Sequence, residues 1–270
     1  GSISKFLRPS EELRQIGFQE TDIVGMATPV TKYAKMITNP KDIRYELEKA
    51  FHIAQSGRPG PVLLDIPLDV QKVEIDPDNL IGYDPSLQAS YAESTVIDQV
   101  DSYLSDLCAA KRPAMMIGAG VRLADAVEDV LELGRLLKMP VFPTWNALDI
   151  ICSDYEYYGG RIGTYGGAGR NFGIQNSDLL LAIGSRISGR ITGGNVTSFA
   201  REAKKYVVDI DEPALQKHLQ QLPFDECILY DAKKFIQLLI RRIKERGDTF
   251  HATWWNDKVR GWKHKYDTVS

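Results

Sequence analysis

Between Asn39 and Gly57 the apolar residues Ile43, Leu47, Ala50, Phe51 and Ala54 recur three and four positions apart, the spacing of one helix face. Asn39-Pro40 reads as N-cap and first helical residue, and Gly57 as the stop. Pro59-Gly60-Pro61 forces an extended turn, and residues 62–66 form an almost wholly apolar run. Such a run predicts a strand buried on both faces of a parallel sheet. From Gln71 to Tyr91 the periodicity fades among Pro77, Gly82, Pro85 and several Asp residues, and the stretch reads as a linker at a domain boundary.

Beyond the linker the pattern becomes regular. Val96, Ile97, Val100, Leu104 and Leu107 predict a helix, residues 114–117 a strand, residues 124–138 a helix, and Val141-Phe142 the start of a strand. Further strands are predicted at 179–183, 206–210 and 227–229, with a short helix at 214–220 and a closing helix at 232–244. Strands alternating with helices imply an α/β fold built on a doubly wound parallel sheet. The polar tail, residues 251–270, carries Trp254, Trp255 and Trp262, and is expected to pack on something outside this chain.

Composition narrows the function classes. The chain has 270 residues, 43% of them hydrophobic and 26% charged, with a net charge of −3. This balance argues against nucleic acid or an anionic membrane as partner, since both require a basic surface. The basic cluster from Arg241 to Arg246 reads as the solvated face of the closing helix. Cys108, Cys152 and Cys227 show no metal-ligand spacing and are expected to be small apolar fillers in a reducing compartment. No apolar run reaches the length of a membrane span and no signal-peptide pattern is present, so a cytoplasmic location is expected. The Gly1-Ser2 start reads as the scar of a cleaved tag, and suggests a longer gene product.

Four stretches could carry chemistry. Gly118-Ala119-Gly120 lies between a predicted strand and helix, where glycine allows close backbone approach to a phosphate and a helix N-terminus offers N–H donors. Position 123 is Leu, so the full G-x-G-x-x-G pattern is not met, and a purely steric turn is an equal reading. Asp209 and Asp211 end a predicted strand, either to bond ribose hydroxyls or simply to start the Pro213 helix. Gly184-Ser185-Arg186 and Arg190 follow another strand, as a diphosphate clamp or as a solvated loop. The glycine-rich run 159–169, which contains Gly163, Thr164, Tyr165 and Gly166, reads as a backbone surface for a flat or phosphorylated ligand or as a flexible loop. The four histidines have no catalytic partner at motif spacing, and there is no P-loop, zinc pattern or nucleophile elbow.

Two long strings, Gly17-Phe18-Gln19-Glu20-Thr21-Asp22-Ile23-Val24-Gly25 with Pro29-Val30-Thr31-Lys32, and residues 56–71 (SGRPGPVLLDIPLDVQ), resemble thiamine-diphosphate-dependent enzymes of the acetolactate synthase type. Later blocks at 112–121, 163–175, 184–193 and 209–211 follow in the family's order. The resemblance implies the end of a pyrimidine-binding domain at 1–72 and a linker at 73–90. It further implies a Rossmann-like central domain at 91–247 and a lead-in at 248–270 to a diphosphate-binding domain not contained in the chain. On that reading the chain is a truncated piece, inactive alone. Thiamine diphosphate and magnesium would be held by other parts of a homodimer or tetramer.

By the same resemblance Phe18 and Gln19 face a small 2-oxo acid substrate, and Arg58 reaches the diphosphate of a flavin. Gly118, Ala119, Gly120 and Thr144 line the flavin site, and Gly163 to Gly166 approach the ring. Arg186 and Arg190 clamp the dinucleotide, with Asp209 and Asp211 near its adenosine end. The sequence departs from the family at Leu68, where a Lys is usual, at Ser188-Gly189 for two Asp, at Ala214 for a Glu, and at Tyr230 for a Gly. The central site is therefore expected to hold FAD, ADP or nothing. The reaction implied is decarboxylation of a 2-oxo acid and ligation to a second carbonyl. The alternatives are a decarboxylase or lyase acting on another 2-oxo acid without FAD, and a stand-alone nucleotide-binding or structural domain. An NAD-dependent dehydrogenase shares the fold class but would need a catalytic His or Lys, for which there is no candidate.

Overall fold

A computed structural model describes residue 17 and residues 21–85, 93–221 and 224–266. Phe18 and Gln19 lie outside the described residues. The chain divides into two compact units, Gly1–Ser90 and Tyr91–Ser270.

In the first unit, α1 (Ile23–Ala27), β1 (Tyr33–Met36), α2 (Ile43–Gln55), β2 (Val62–Asp65) and α3 (Leu68–Gln71) follow in order. β1 and β2 pair in parallel, Tyr33 beside Val62 through Met36 beside Asp65. Asn39 caps a short 3-10 turn, Pro40–Asp42, by accepting from the Lys41 amide, and the turn runs into α2. Gly57, at φ +54°, lets the chain leave α2. The face expected inward is only partly so: Ala50 is buried, but Leu47 and Phe51 are exposed. Glu46 takes an inward position instead, accepting from the Tyr33 hydroxyl at 2.5 Å and pairing with Lys35 at 3.7 Å. β2 is likewise only half-buried apart from Asp65, because its sheet has two strands among the described residues. The linker is strapped along α2 by Arg44, which donates to the Pro77 and Leu80 carbonyls, and by Glu48, which accepts from the Tyr83 amide at 2.7 Å.

The second unit comprises α4 (Glu93–Ala109), β3 (Pro113–Ile117), α5 (Gly120–Leu123), α6 (Val127–Leu137), β4 (Val141–Pro143), α7 (Ala168–Gln175), β5 (Leu179–Ile183), α8 (Gly189–Thr192), β6 (Lys204–Asp209), α9 (Glu212–Gln221), β7 (Glu226–Leu229), α10 (Ala232–Arg246) and α11 (Thr253–Tyr266). All five strands are parallel, in the order β4-β3-β5-β6-β7. Successive strand residues feed opposite cores, as a two-residue period requires. Met115, Ile117, Leu179, Leu181, Ile183, Tyr206 and Val208 pack with α4, α6 and α10. Ala114, Met116, Leu180, Ala182 and Val207 face the opposite core, with Trp255 and Val259 of α11. The sheet is thus covered on both faces, as the α/β pattern predicted.

Three expectations are corrected. The helix predicted over 124–138 starts late: α5 ends at Leu123, Asp125 adopts a left-handed φ of +54°, and α6 runs from Val127 to Leu137. Asp125 is held there by Lys233 of α10, 2.8 Å away. Two of the cysteines are not core fillers, since Cys108 and Cys152 are exposed, whereas half-buried Cys227 does pack against a core. The Trp-rich tail packs on its own domain: α11 lies against α7, Trp255 is 1% exposed, and its Nε1 donates to the Pro113 carbonyl at 3.0 Å. A buried indole needs such an acceptor, and the first residue of β3 supplies it.

α10 is fixed at both ends. Asp231 accepts from the Lys234 amide at the start, and Gly247, at φ +67°, caps the finish. Its basic cluster is largely paired: Arg242 makes a two-pronged contact with Asp101 of α4 at 3.0 and 2.7 Å, and Lys244 meets Glu132 of α6.

Trp255→Ala is expected to destabilise the domain by about 3–5 kcal/mol in urea titration, as for other buried Trp truncations. Trp254→Ala, at an exposed ring on the same helix, should stay within about 0.5 kcal/mol. Equal effects would contradict the packing of α11. A second expectation concerns acid. The hydrogen bonds from Arg242 hold the Asp101 carboxyl below the usual carboxylate range. A depressed folded-state pKa gives stability that is present above the unfolded value, about 3.9, and is lost as pH falls through the lower folded value. Asp101→Asn should therefore lower the urea midpoint at pH 7 and flatten its decline on acidification.

Candidate functional site

In an open parallel sheet, ligands bind beyond the carboxyl ends of the strands, where connections to neighbouring strands diverge. Here that point lies between β3 and β5: the chain passes from β3 to β4 on one side, and from β5 to β6 on the other. Two glycine turns meet there. A Cβ on Gly118 would collide with the carbonyl oxygen of Gly184, and one on Gly120 would lie 2.6 Å from the Gly184 Cα. Gly184 itself has φ +58°. The turns are stitched by Gly118 N–H donating to Ile183 O at 2.9 Å and Gly120 N–H to Gly184 O at 3.0 Å. Both amides are therefore already engaged, and the steric reading of these glycines has a direct cause. The helix that follows, α5, is a single turn, so few peptide dipoles add at its start.

Thr144 is buried at the end of β4, its amide bonded to the Ile117 carbonyl, which places it beside the β3 turn. Arg122 makes a two-pronged contact with Asp149 and donates to Asn146 O at 2.9 Å, which fixes the turn that follows β4. The same guanidinium holds the Asp149 carboxyl below its ordinary range.

The glycine-rich stretch folds back onto the β5 side. Gly163, at φ +97°, exchanges two hydrogen bonds with the Asn171 side chain, at 2.9 and 3.1 Å. Both the amide and the hydroxyl of Thr164 donate to Arg190 O, at 2.8 and 3.0 Å. Gly166 closes a turn onto Gly163 O, and α7 begins at Ala168, so the run is an ordered turn leading into a helix. Ser185 is buried, whereas Arg186 and Arg190 expose their side chains. Asp209 ends β6 and accepts from the Asp211 amide at 3.0 Å, and Asp211 accepts from the Ala214 amide near the start of α9.

Gly118 to Gly120, Thr144, Gly163 to Gly166, Arg186 and Arg190 therefore lie along one edge, with Asp209 ending the adjoining strand and Asp211 in the turn after it. Arg58 belongs to the other unit, on the exposed turn between α2 and β2. Two residues at this edge carried no sequence signal beyond their neighbourhood, Trp145 and Arg161. The Arg161 guanidinium lies 4.9 Å from the Trp145 ring centroid.

The interlocking turns give the first test. Gly118→Ala and Gly120→Ala must push the Gly184 backbone aside and should each lower stability by about 1–3 kcal/mol. Gly189→Ala, where a Cβ meets nothing within 4 Å, should stay within about 0.5 kcal/mol. Thermal unfolding of the three variants measures the contrast, and similar losses in all three would contradict the close approach.

Residues 100–239 match the family model of the thiamine pyrophosphate enzyme central domain. The chain is 38% identical over 256 residues to the acetolactate synthase large subunit of Corynebacterium glutamicum, an alignment covering 92% of this chain and 39% of that protein. It is 33% identical over 271 residues to a probable acetolactate synthase large subunit of Methanococcus aeolicus, covering 94% and 44%. With the isozyme 2 large subunit of Escherichia coli it shares 35% identity over 205 residues, covering 76% and 36%. The chain thus spans less than half the length of these curated relatives. It belongs to the thiamine pyrophosphate enzymes, and its second unit carries their central domain.

Proposed function

We propose that the second unit is the nucleotide-binding domain of an acetolactate synthase-type enzyme. In this reading the whole protein decarboxylates a 2-oxo acid and joins the acyl-anion unit to a second carbonyl. The observation that carries the reading is the pair of exposed guanidinium groups, Arg186 and Arg190, on the segment leaving β5 at the divergence point. Guanidinium groups match phosphate oxygens in charge and in fork geometry. Asp209 ends the next strand and Asp211 follows in the turn after it, where a carboxylate can accept from ribose hydroxyls. The interlocked Gly118-Ala119-Gly120 turn, Thr144, and Gly163-Thr164-Tyr165-Gly166 form the walls.

This set of donors and acceptors fits the diphosphate and ribose shared by FAD and ADP. Arg186 and Arg190 would neutralise the diphosphate, and Thr144 and the glycine turns would shape the floor. From the resemblance alone we further propose a substrate role for Phe18 and Gln19 and a diphosphate role for Arg58, which is exposed within its own unit. Thiamine diphosphate supplies the electron sink for decarboxylation. Among the described residues no group of three or more His, Cys, Asp or Glu is placed to hold a metal ion. We propose that the whole protein uses thiamine diphosphate with magnesium and acts in the cytoplasm as a homodimer or tetramer. No helix among the described residues is long and apolar enough to cross a membrane.

A second reading, a decarboxylase or lyase on another 2-oxo acid, is favoured by Leu68. This side chain is 44% exposed at the start of α3, where the resemblance calls for a Lys.

The chain should bind ADP or FAD with a rise in melting temperature. For a ligand present at a hundredfold over its Kd the rise should be about 5–10 °C. Arg186→Ala combined with Arg190→Ala should remove the shift without lowering the unliganded melting temperature. The chain alone should release no carbon dioxide from a panel of 2-oxo acids with thiamine diphosphate and magnesium, whereas a protein spanning the relatives' full length should. A shift that survives loss of both arginines would contradict the site. Failure of the longer protein on every 2-oxo acid would contradict the reaction.

A further inference from the structure

The geometry points to Asn171 and Thr164 as positioning residues that set the direction of Arg190, Asn171 acting through the backbone of Gly163. The inference rests on the nucleotide reading of this edge and adds the device that aims its guanidinium at the diphosphate.

Arg190 sits in α8, a single helical turn bounded by Gly189 on one side and Gly193-Gly194 on the other. A Cβ on any of these three glycines would meet nothing within 4 Å, so they give the turn no grip on its surroundings. Ile191 packs against the core and fixes where the turn lies. The direction in which residue 190 faces is set by its carbonyl oxygen. This oxygen accepts from both the amide and the hydroxyl of Thr164, at 2.8 and 3.0 Å. A backbone held before binding reduces the freedom lost when its guanidinium meets a phosphate.

Thr164 reaches that carbonyl because its neighbour has no side chain: a Cβ on Gly163 would lie 2.5 Å from Arg190 O. Gly163 also has φ +97°, and a glycine loses more freedom on ordering than any other residue. Asn171 supplies the restraint. Its Oδ1 accepts from Gly163 N–H at 2.9 Å and its Nδ2 donates to Gly163 O at 3.1 Å. A primary amide offers an acceptor and a donor together, as a peptide group does, whereas an ionised Asp can only accept. The helix that carries Asn171 is itself firmly seated. α7 lies so close to α11 that a Cβ on Gly169 would strike the Trp262 carbonyl oxygen. The restraint thus runs from α7 through Asn171 and Gly163 to Thr164, and from Thr164 to Arg190.

Calorimetry of pyrophosphate and ADP binding tests this in a double-mutant cycle on Asn171→Leu and Arg190→Ala. Asn171→Leu, which loses both hydrogen bonds at similar size, should weaken both ligands about tenfold. In the Arg190→Ala background the same change should cost less than about twofold, because the group it aims is gone. Should Asn171→Leu fail to fold, Asn171→Asp, which keeps only the bond from Gly163 N–H, takes its place in the cycle. Thr164→Val should show the same dependence on Arg190, and Thr164→Ser should restore wild-type affinity. Weakening by equal factors in both backgrounds marks a merely structural role and overturns the inference. Wild-type affinity in the folded Asn171 variant overturns it while the nucleotide site stands. If neither pyrophosphate nor ADP binds the wild type, the nucleotide reading fails and the inference with it.

Discussion

Adjacent parallel strands lie about 4.8 Å apart, and this spacing governs what can stand where β3 and β5 end. Both strands deliver their chains into turns at the same level, so the backbones of Gly118-Ala119-Gly120 and Gly184 must cross in contact. No side chain fits on the facing side of either turn, and Gly184 must also take a positive φ. Once the turns interlock, the directions of everything leaving them are set. One path leads through α5 to the Asp125 break, the other through buried Ser185 to the exposed Arg186 and Arg190. The site depends less on glycine amides offered to a ligand than on glycines that allow two strands to release their chains side by side.

The regular elements were legible because the apolar runs at β3 and β5 are uninterrupted, which only a sheet covered on both faces explains. Helix positions followed from spacing alone for α4 and α10, whose inward residues form one continuous core. What could not be read depended on distant partners. The break before α6 is pinned by Lys233, 108 residues further on, and Trp255 finds its acceptor 142 residues back, at Pro113. A window of local sequence contains neither. In α2 the apolar count suggested Leu47 and Phe51 as inward residues. The Glu46–Tyr33 hydrogen bond, a side-chain contact between helix and strand, turned a carboxylate inward instead.

The candidate site was legible in part for the same reason. Glycine clusters and the arginines after an apolar strand are local signals, and they mark segments that do meet at the carboxyl edge. The aromatic member of the edge, Trp145, gave no signal because its contacts are with Arg161 and Tyr165, which reach it only in the folded chain. The glycine-rich run left a ligand-facing surface and a flexible loop as alternatives, and in the fold the Asn171 side chain and the Arg190 carbonyl hold its backbone at several points. Many glycines here mark close contact between backbones, as they do at Gly118 and Gly184.

The claim on which the account turns is that the divergence point between β3 and β5 binds a nucleotide diphosphate. A crystal structure of the chain with ADP tests it most directly. The account predicts the diphosphate within hydrogen-bonding distance of Arg186 and Arg190, beyond the glycine turns. An open groove of about 530 Å³ lies elsewhere, between α6 and α10, lined by Asp129, Gln237, Arg241 and Lys244. ADP found in that groove, or anywhere other than the carboxyl edge of β3 and β5, would contradict the account.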